Sequence, residues 1–162
     1  VTVHGRTRCQ FYKGEADWDA IRAVRSAIKV PLVVNGDIRD KTSASQAVIA
    51  SGADAVMIGR GAYGAPWLPG LISGQNLEEC FPNSEFVKCH HETMLSFYGV
   101  QSGTRQARKH LGWYLDKIPK TDISTELKRR LMTSFDIGEI QFLIDEIFSI
   151  EHDKKMPLRT AA

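Results

Sequence analysis

The fold of this chain is decided by two apolar segments that each lead into glycine, VVNGD at residues 33–37 and VMIGRG at residues 56–61. They indicate short strands over residues 32–34 and 55–58 without polar alternation, as in parallel sheets that are covered on both faces. A helical stretch over residues 42–52 separates them. The order strand, helix, strand with short connections is the repeating unit of a parallel α/β sheet or barrel, and we therefore predict an α/β fold.

The residues that follow these two strands favour a phosphate-binding site. Glycine lets backbone N–H groups approach an anion closely, and a helix N-terminus just beyond adds the positive end of its dipole. Arg60 supplies a full positive charge. In a (β/α)8 barrel such a site lies in the loops after the last two strands. The alternative interpretation is two ordinary tight turns, in which glycine and asparagine are common.

A third strand is predicted at residues 1–3, followed by the polar turn His4-Gly5-Arg6-Thr7. Barrel enzymes carry catalytic residues at this end of their strands. A closed barrel needs eight strands and about 250 residues. We therefore expect the three βα units here to be the C-terminal part of a TIM barrel whose other units lie upstream.

Cap residues and apolar spacing predict where the first helices begin and end. Asp17 is the predicted N-cap of the first helix, and Thr42 or Ser43 that of the second. Gly52 is the predicted C-terminal stop of the second helix. A short helix is expected over residues 62–72.

The second half of the chain shows helical periodicity and no strand signal. Four amphipathic helices are predicted there, which indicates an all-α bundle. The predicted organisation is a partial barrel at 1–72, a linker at 73–83, a helical domain at 84–152 and a tail at 153–162.

Composition excludes several classes of protein. The 162 residues are 43% hydrophobic, yet no run reaches the roughly 20 apolar residues that a membrane span needs. The three cysteines at 9, 80 and 89 have unrelated spacings, which favours free thiols in a reducing, cytoplasmic setting. Cys89-His90-His91 does not predict a metal site, because adjacent helical side chains point about 100° apart.

Charge is distributed unevenly along the helical half. Residues 101–130 contain eight Lys or Arg against three acids, whereas residues 131–153 contain six acids and no Lys or Arg. Arg105, Arg108 and Lys109 share a helical face by their spacing. Such faces are usually just solvated, but the local excess of positive charge and the neighbouring Trp113, which we expect to be exposed, favour contacts with RNA phosphates.

Several of these segments together resemble the tRNA-dihydrouridine synthase family. The likeness extends from residue 1 to about 150, and five segments occur in the family's order. They are VHGRT at 3–7, YKG with ADW at 12–18, NGDI at 35–38, IGRGA with PW at 58–67, and RKHL with WY at 108–114.

This resemblance implies a flavin enzyme that reduces the C5–C6 double bond of a uridine in tRNA, with FMN as cofactor and NADPH as reductant. It implies that the backbone around Asn35, Gly36 and Asp37, and around Gly59 and Arg60, holds the FMN phosphate and ribityl chain. His4 is implied to lie beside the flavin ring.

The resemblance also implies that tRNA is the partner. Arg6 and Thr7 are expected to meet the target nucleotide or its phosphates, although a solvated loop is an equal alternative. Arg105, Arg108, Lys109 and Trp113 are expected to bind tRNA through the helical domain.

No catalytic acid is assigned within this chain. In the family the acid is a cysteine of an Asn-x-Gly-Cys-Pro type motif, which does not occur here, and Cys9, Cys80 and Cys89 do not match it. We expect the acid upstream and expect this part alone to be inactive. The alternatives are another FMN-dependent or phosphate-binding barrel oxidoreductase, or a non-catalytic RNA-binding remnant.

Overall fold

The chain folds into two compact units, Val1–Cys80 and Phe81–Ala162. The computed structural model describes residues 1–11, 13–75, 83–118 and 123–154, with side chains of the last helix described as far as Phe148. The predicted linker and tail lie for the most part outside these described residues, as do Tyr12 and Cys80. We call the two units the sheet unit and the helical unit.

The sheet unit contains a three-stranded parallel sheet in the order β1-β2-β3. Each strand is only three residues long, and each lies within one residue of its predicted position. The strands are β1 (Thr2–His4), β2 (Val33–Asn35) and β3 (Ala55–Met57). The prediction of a parallel α/β fold is therefore confirmed.

Three helices accompany the sheet: α1 (Ile21–Ala27), α2 (Lys41–Ser51) and α3 (Leu68–Ile72). Buried side chains of α1 and α2 pack with Val34 of β2 and with Leu32 just before it, both fully buried, and Ile72 of α3 packs against the same cluster. The rest of this core is Ile21, Ile38, Ala44, Ala47 and Ala53. Small alanines on α2 let the helix lie close to the sheet.

The predicted helix starts are wrong in both cases. Helix α1 begins after Ala20, because Asp17 instead caps a preceding turn by accepting from the Ala20 N–H at 2.9 Å. Helix α2 is capped by Asp40, whose carboxylate accepts from the Ser43 N–H at 2.7 Å. The predicted end of α2 is confirmed, since Gly52 adopts the left-handed conformation at φ 69°.

The predicted helix over 62–72 is also wrong in its first half. A 3-10 turn over Arg60–Ala62 precedes α3, and Gly64 separates the two with φ 69°. A left-handed residue cannot continue a right-handed helix. Helix α3 therefore spans only the last five predicted residues.

The described residues of the helical unit form four helices. They are α4 (Ser84–Tyr98), α5 (Val100–Leu115), α6 (Thr125–Thr133) and α7 (Ile137–Lys154). Asn83 caps α4 and Ser124 caps α6 through their side chains. Gly103 is at a close approach, because a Cβ there would lie 2.6 Å from the Met94 backbone oxygen.

The core of the helical unit is mostly aliphatic and is enclosed. Leu131, Ile140, Leu143, Ile144 and Ile147 are each at most 1% exposed. They pack with buried side chains of α4 and α5 in one cluster. Among the residues that the structure describes, no helix is both long and apolar enough to cross a membrane.

Candidate functional site

The ends of the three strands gather the predicted site residues of the sheet unit at one edge. His4 is in register with Asn35, and Asn35 with Met57. Because all three strands are parallel, their carboxyl ends meet at the same edge. The turns that carry Arg6 and Arg60 follow β1 and β3 directly there.

The turn after β2 depends on glycine at position 36. Gly36 is buried with φ 119°, and a Cβ there would lie 2.9 Å from Ala16 Cβ and 3.1 Å from His4 Cε1. The Trp18 indole N–H donates to the Gly36 backbone oxygen at 2.9 Å. A larger residue would displace the His4 ring or the Ala16 backbone.

His4 is exposed, and its ring is oriented by its own turn. Nδ1 accepts a hydrogen bond from the Arg6 backbone N–H at 3.0 Å. In the neutral ring this places the proton on Nε2. The imidazole therefore presents a donor on the side away from the backbone of the turn.

Arg6 and Asp37 form an ion pair between the turns that follow β1 and β2. Arg6 Nη2 lies 2.5 Å from Asp37 Oδ2, and the two side chains are 3% and 17% exposed. The same Oδ2 accepts from the Ala16 N–H at 2.8 Å. Sequence analysis missed this pair, and the signal available was an arginine and an aspartate at the exits of neighbouring strands.

The net electrostatic effect on Asp37 favours its charged form. Burial alone would raise the pKa of this carboxyl, but the hydrogen bonds from Arg6 and from the Ala16 N–H outweigh burial and hold the pKa below 3.8. Asp37 therefore stays ionised at neutral pH.

The turn after β3 has one open glycine and one tightly enclosed glycine. A Cβ at Gly59 would meet nothing within 4 Å, whereas one at Gly61 would lie 2.2 Å from the Ile38 backbone oxygen. Gly61 thus brings the β3 turn against the segment that follows β2. Gly59 and Arg60 are exposed at this edge.

The basic face of the helical unit is less uniform than its sequence predicts. Arg105 and Lys109 are exposed. Arg108 is half-buried and donates to the backbone oxygens of Thr133 and Ser134 at 3.0 and 3.1 Å. Its guanidinium also lies 4.2 Å from the centroid of the exposed Phe135 ring. Arg108 therefore links α5 to the α6–α7 turn.

Trp113 is half-buried rather than exposed, which corrects the prediction from sequence. Its ring packs edge-on against His110 at 5.0 Å, and His110 packs against His90 at 4.7 Å. His90 Nδ1 lies 2.8 Å from the Tyr114 hydroxyl. Sequence analysis missed this aromatic cluster, although the spacing of residues 110, 113 and 114 could have indicated it.

Metal-binding geometry is not found in the described part of the chain. No group of three or more His, Cys, Asp or Glu there is placed to hold a metal ion. Cys9 and Cys89 are both exposed free thiols.

Three parallel strands with intervening helices, whose carboxyl ends meet at one edge, define the class of parallel α/β proteins. The particular family is given by comparison with known sequences. A family profile described as dihydrouridine synthase (Dus) matches residues 1–149. The chain belongs to the dihydrouridine synthase family.

Individual relatives agree with this assignment. The chain is 49% identical over 140 residues to a probable tRNA-dihydrouridine synthase of Rhizobium leguminosarum, which covers 86% of this chain and 44% of the relative. It is 46% identical over 156 residues to a probable tRNA-dihydrouridine synthase of Rhodobacter capsulatus, covering 92% and 47%. A tRNA-dihydrouridine synthase B of Xanthomonas axonopodis is 43% identical over 130 residues, covering 75% and 39%. The chain thus spans less than half the length of these relatives.

Proposed function

We propose that this chain is the C-terminal part of a tRNA-dihydrouridine synthase. In this proposal the sheet unit supplies the last three βα units of a flavin-binding (β/α)8 barrel. The helical unit is the tRNA-binding bundle, and the protein works in the cytoplasm. The observation that carries the proposal is the shared carboxyl edge, where Gly36, Gly59 and Arg60 follow two adjacent parallel strands.

The residues at this edge fit FMN by their shape and charge. Gly59 has open space where a side chain would stand, so a phosphate oxygen can approach its backbone. Arg60 adds a positive charge, and hydrogen bonds to charged groups each contribute about 1.5 to 3 kcal/mol. The backbone of Asn35, Gly36 and Asp37 is proposed to hold the ribityl chain and phosphate together with Gly59 and Arg60.

When bound and reduced by NADPH, FMN would supply a hydride for the C5–C6 bond of uridine, and a proton from the enzyme's acid would complete the saturation. His4 would donate from Nε2 to the flavin ring, because its Nδ1 already accepts from the Arg6 N–H. Because Gly36 has no side chain, it leaves room for the His4 ring in this position. Thr7, exposed in the same turn, is proposed to meet the target nucleotide. The proton donor is expected in a part of the protein upstream of these residues.

The helical unit is proposed to bind the tRNA backbone through its positive surface. Arg105 and Lys109 are exposed on α5 and are suited to contact phosphates. Arg108 and Trp113 contribute to the same surface from half-buried positions. Arg108 at the same time holds the α6–α7 turn.

The test uses the complete gene product. We expect it to purify as a yellow protein with bound FMN and to convert uridine to dihydrouridine in tRNA when NADPH is added. A flavoprotein that oxidises NADPH but never reduces tRNA would overturn the proposed substrate. A protein that neither holds nor binds FMN would overturn the proposed cofactor.

Arg60→Ala examines the phosphate site directly. We expect the dissociation constant for FMN to rise by about tenfold or more, as for loss of one charge-assisted hydrogen bond. Arg25→Gln, which removes another guanidinium of the sheet unit, is the control. Equal FMN affinity in the Arg60→Ala and Arg25→Gln proteins would exclude Arg60 from the phosphate site.

A further inference from the structure

The side chain of Arg6 is enclosed although its sequence position suggests a solvent-facing turn. Its side chain is 3% exposed. Three acceptors surround the guanidinium: the Lys13 backbone oxygen at 3.2 Å, the Gly14 backbone oxygen at 2.6 Å and Asp37 Oδ2 at 2.5 Å. Nη1 is buried with no hydrogen-bond partner in the described part of the chain.

These bonds join two segments that are far apart in sequence. Lys13, Gly14 and Ala16 belong to the loop before α1, and Asp37 belongs to the turn after β2. The loop is held from both directions, because Arg6 binds its carbonyl oxygens and Asp37 binds the Ala16 N–H at 2.8 Å. The pair therefore fixes the loop on the β2 turn.

The loop before α1 and the turn after β2 are also the segments that lie beside His4. Ala16 Cβ limits the space at Gly36, and the His4 ring lies against the same glycine. Asp37 itself is left-handed at φ 55°, a conformation that aspartate tolerates better than most residues. Release of its carboxylate would free both the loop and the turn beside the ring.

We propose that Arg6 is a positioning residue that acts through Asp37, holding the loop over residues 13–16 and the β2 turn in the shape that receives the flavin. This differs from a direct contact between Arg6 and RNA phosphates, which needs an accessible guanidinium. The inference rests on the proposed function, because it assigns FMN to the strand ends. The unpartnered Nη1 is a cost of the kind that proteins accept at functional sites.

The test compares Arg6→Gln, Arg6→Lys and Asp37→Asn in the complete protein, with Arg25→Gln as the matched control. Arg25 also forms an ion pair, with Asp54 at 3.0 Å, but its side chain is 38% exposed. This pair lies at the edge where β2 and β3 begin, not at their carboxyl ends. Three quantities are measured: amide hydrogen exchange over residues 13–18 without flavin, the dissociation constant for FMN, and the visible circular dichroism of bound flavin.

We expect Arg6→Gln and Asp37→Asn to speed amide exchange over residues 13–18, to raise the FMN dissociation constant by about tenfold or more, and to change the flavin dichroism. Arg6→Lys keeps the charge but loses the fork of donors, so it should restore part of the affinity. Arg25→Gln should leave all three quantities unchanged. The salt dependence of tRNA binding should keep its slope in every variant.

Unchanged exchange and FMN affinity in Arg6→Gln would overturn this assignment and leave the proposed function intact. Unchanged FMN affinity with a shallower salt dependence of tRNA binding would also overturn it, in favour of a direct phosphate contact. Failure of the wild-type protein to bind FMN would overturn the proposed function and this assignment together. If Arg6→Gln does not fold, Arg6→Lys and Asp37→Asn decide the same comparison.

Discussion

In both units of this molecule, a backbone segment lies so close to a glycine that a side chain at that position would clash. In the sheet unit a Cβ at Gly61 would lie 2.2 Å from the Ile38 oxygen, and in the helical unit a Cβ at Gly103 would lie 2.6 Å from the Met94 oxygen. The first glycine brings together turns at the candidate site. The second lets α5 lie against α4. A closely approached glycine therefore shapes the candidate site in one region and a helix–helix contact in the other.

The two regions also differ in what holds them. Near the strand ends, backbone atoms and one ion pair set the geometry. The helical unit is held by enclosed, mostly aliphatic side chains. Substitutions that remove side-chain volume should therefore damage the helical core, whereas the turns at the strand ends should be damaged by substitutions that add volume at glycine.

Leu143→Ala should give the largest loss of stability. Leu143 is fully buried in the helical core, and truncations of this kind cost about 2 to 5 kcal/mol. Phe142→Ala is the control, since Phe142 is 57% exposed and should change stability by no more than about 0.5 kcal/mol. Urea unfolding of the complete protein measures both. Similar losses in the two variants would contradict the assigned core.

Gly61→Ala should cost about 3 kcal/mol, since the new methyl group can be accommodated only by moving the Ile38 backbone. FMN affinity should fall with stability, because the displaced turn is the one that carries Arg60. Urea unfolding and FMN titration provide the two measurements. Loss of stability with full FMN affinity would separate Gly61 from the candidate site.

Gly103→Ala should cost about 1 to 3 kcal/mol by pushing α4 and α5 apart, and Gly112→Ala is its control in the same helix. A Cβ at Gly112 would lie 3.5 Å from Met132 Cε, an ordinary contact. Alanine there should stabilise the protein by up to about 1 kcal/mol through helix propensity. Opposite signs in thermal unfolding are expected. Equal effects would show that the close approach at Gly103 is unimportant.

Lowering the pH should destabilise the helical unit before it affects the Arg6–Asp37 pair of the sheet unit. Burial lowers the pKa of His90, His91 and His110 below 6.5, and nearby histidines lower that of His90 further. The unfolded chain binds protons first as pH falls below 6.5, so the helical unit loses stability there, at most about 1.4 kcal/mol per pH unit for each histidine. Above 6.5 the stability contribution of these groups is constant.

The ionised Asp37 carboxylate affects stability at a lower pH than the histidines do. Its pKa is held below 3.8, so its contribution is complete above pH 3.8 and is lost as pH falls through the lower folded value. At pH 5 the amide protection factors of the helical unit should be lower than at pH 7, whereas those of residues 13–18 should be unchanged. His91→Gln should reduce the acid sensitivity of the helical unit. Simultaneous loss of protection in both regions would contradict this separation.

Lys109→Ala should have the smallest effect on stability, within about 0.5 kcal/mol, because the side chain is exposed. It should reduce the slope of log affinity for tRNA against log salt concentration by about one. Arg108→Ala is the comparison, and it should destabilise the helical unit by removing the bonds to Thr133 and Ser134. An unchanged salt slope in Lys109→Ala would exclude Lys109 from phosphate contact.

The strands were predictable because each is a short apolar run that ends at a polar or glycine-containing turn. The helix starts were not, because several residues that can cap a helix lie close together. Asp40, Thr42 and Ser43 all have suitable side chains, and Asp40 is the one that takes the extended conformation just before the helix, at φ −159° and ψ 179°. Asp17 caps a turn that precedes α1.

The position of the candidate residues at the strand ends was predictable from the sequence, whereas the contacts that they make were not. His4 ends β1 and Arg60 closely follows β3, positions that are visible in the sequence. The partner of Arg6 is 31 positions away, and no local pattern links the two. Arg108 was assigned to the basic face by its helical spacing, but spacing does not show that its guanidinium is used by Thr133 and Ser134.

The opposite edge of the sheet, where the strands begin, is held by hydrogen bonds to a single carboxylate. Asp54 precedes β3, and its Oδ2 accepts from the Leu32 N–H at 2.8 Å and from Arg25 at 3.0 Å. One carboxylate thus ties the entrances of β2 and β3 to α1 without using any atom of the turns beyond their exits. Evolution and protein engineers can therefore remodel those exits for other ligands while the scaffold beneath keeps its register.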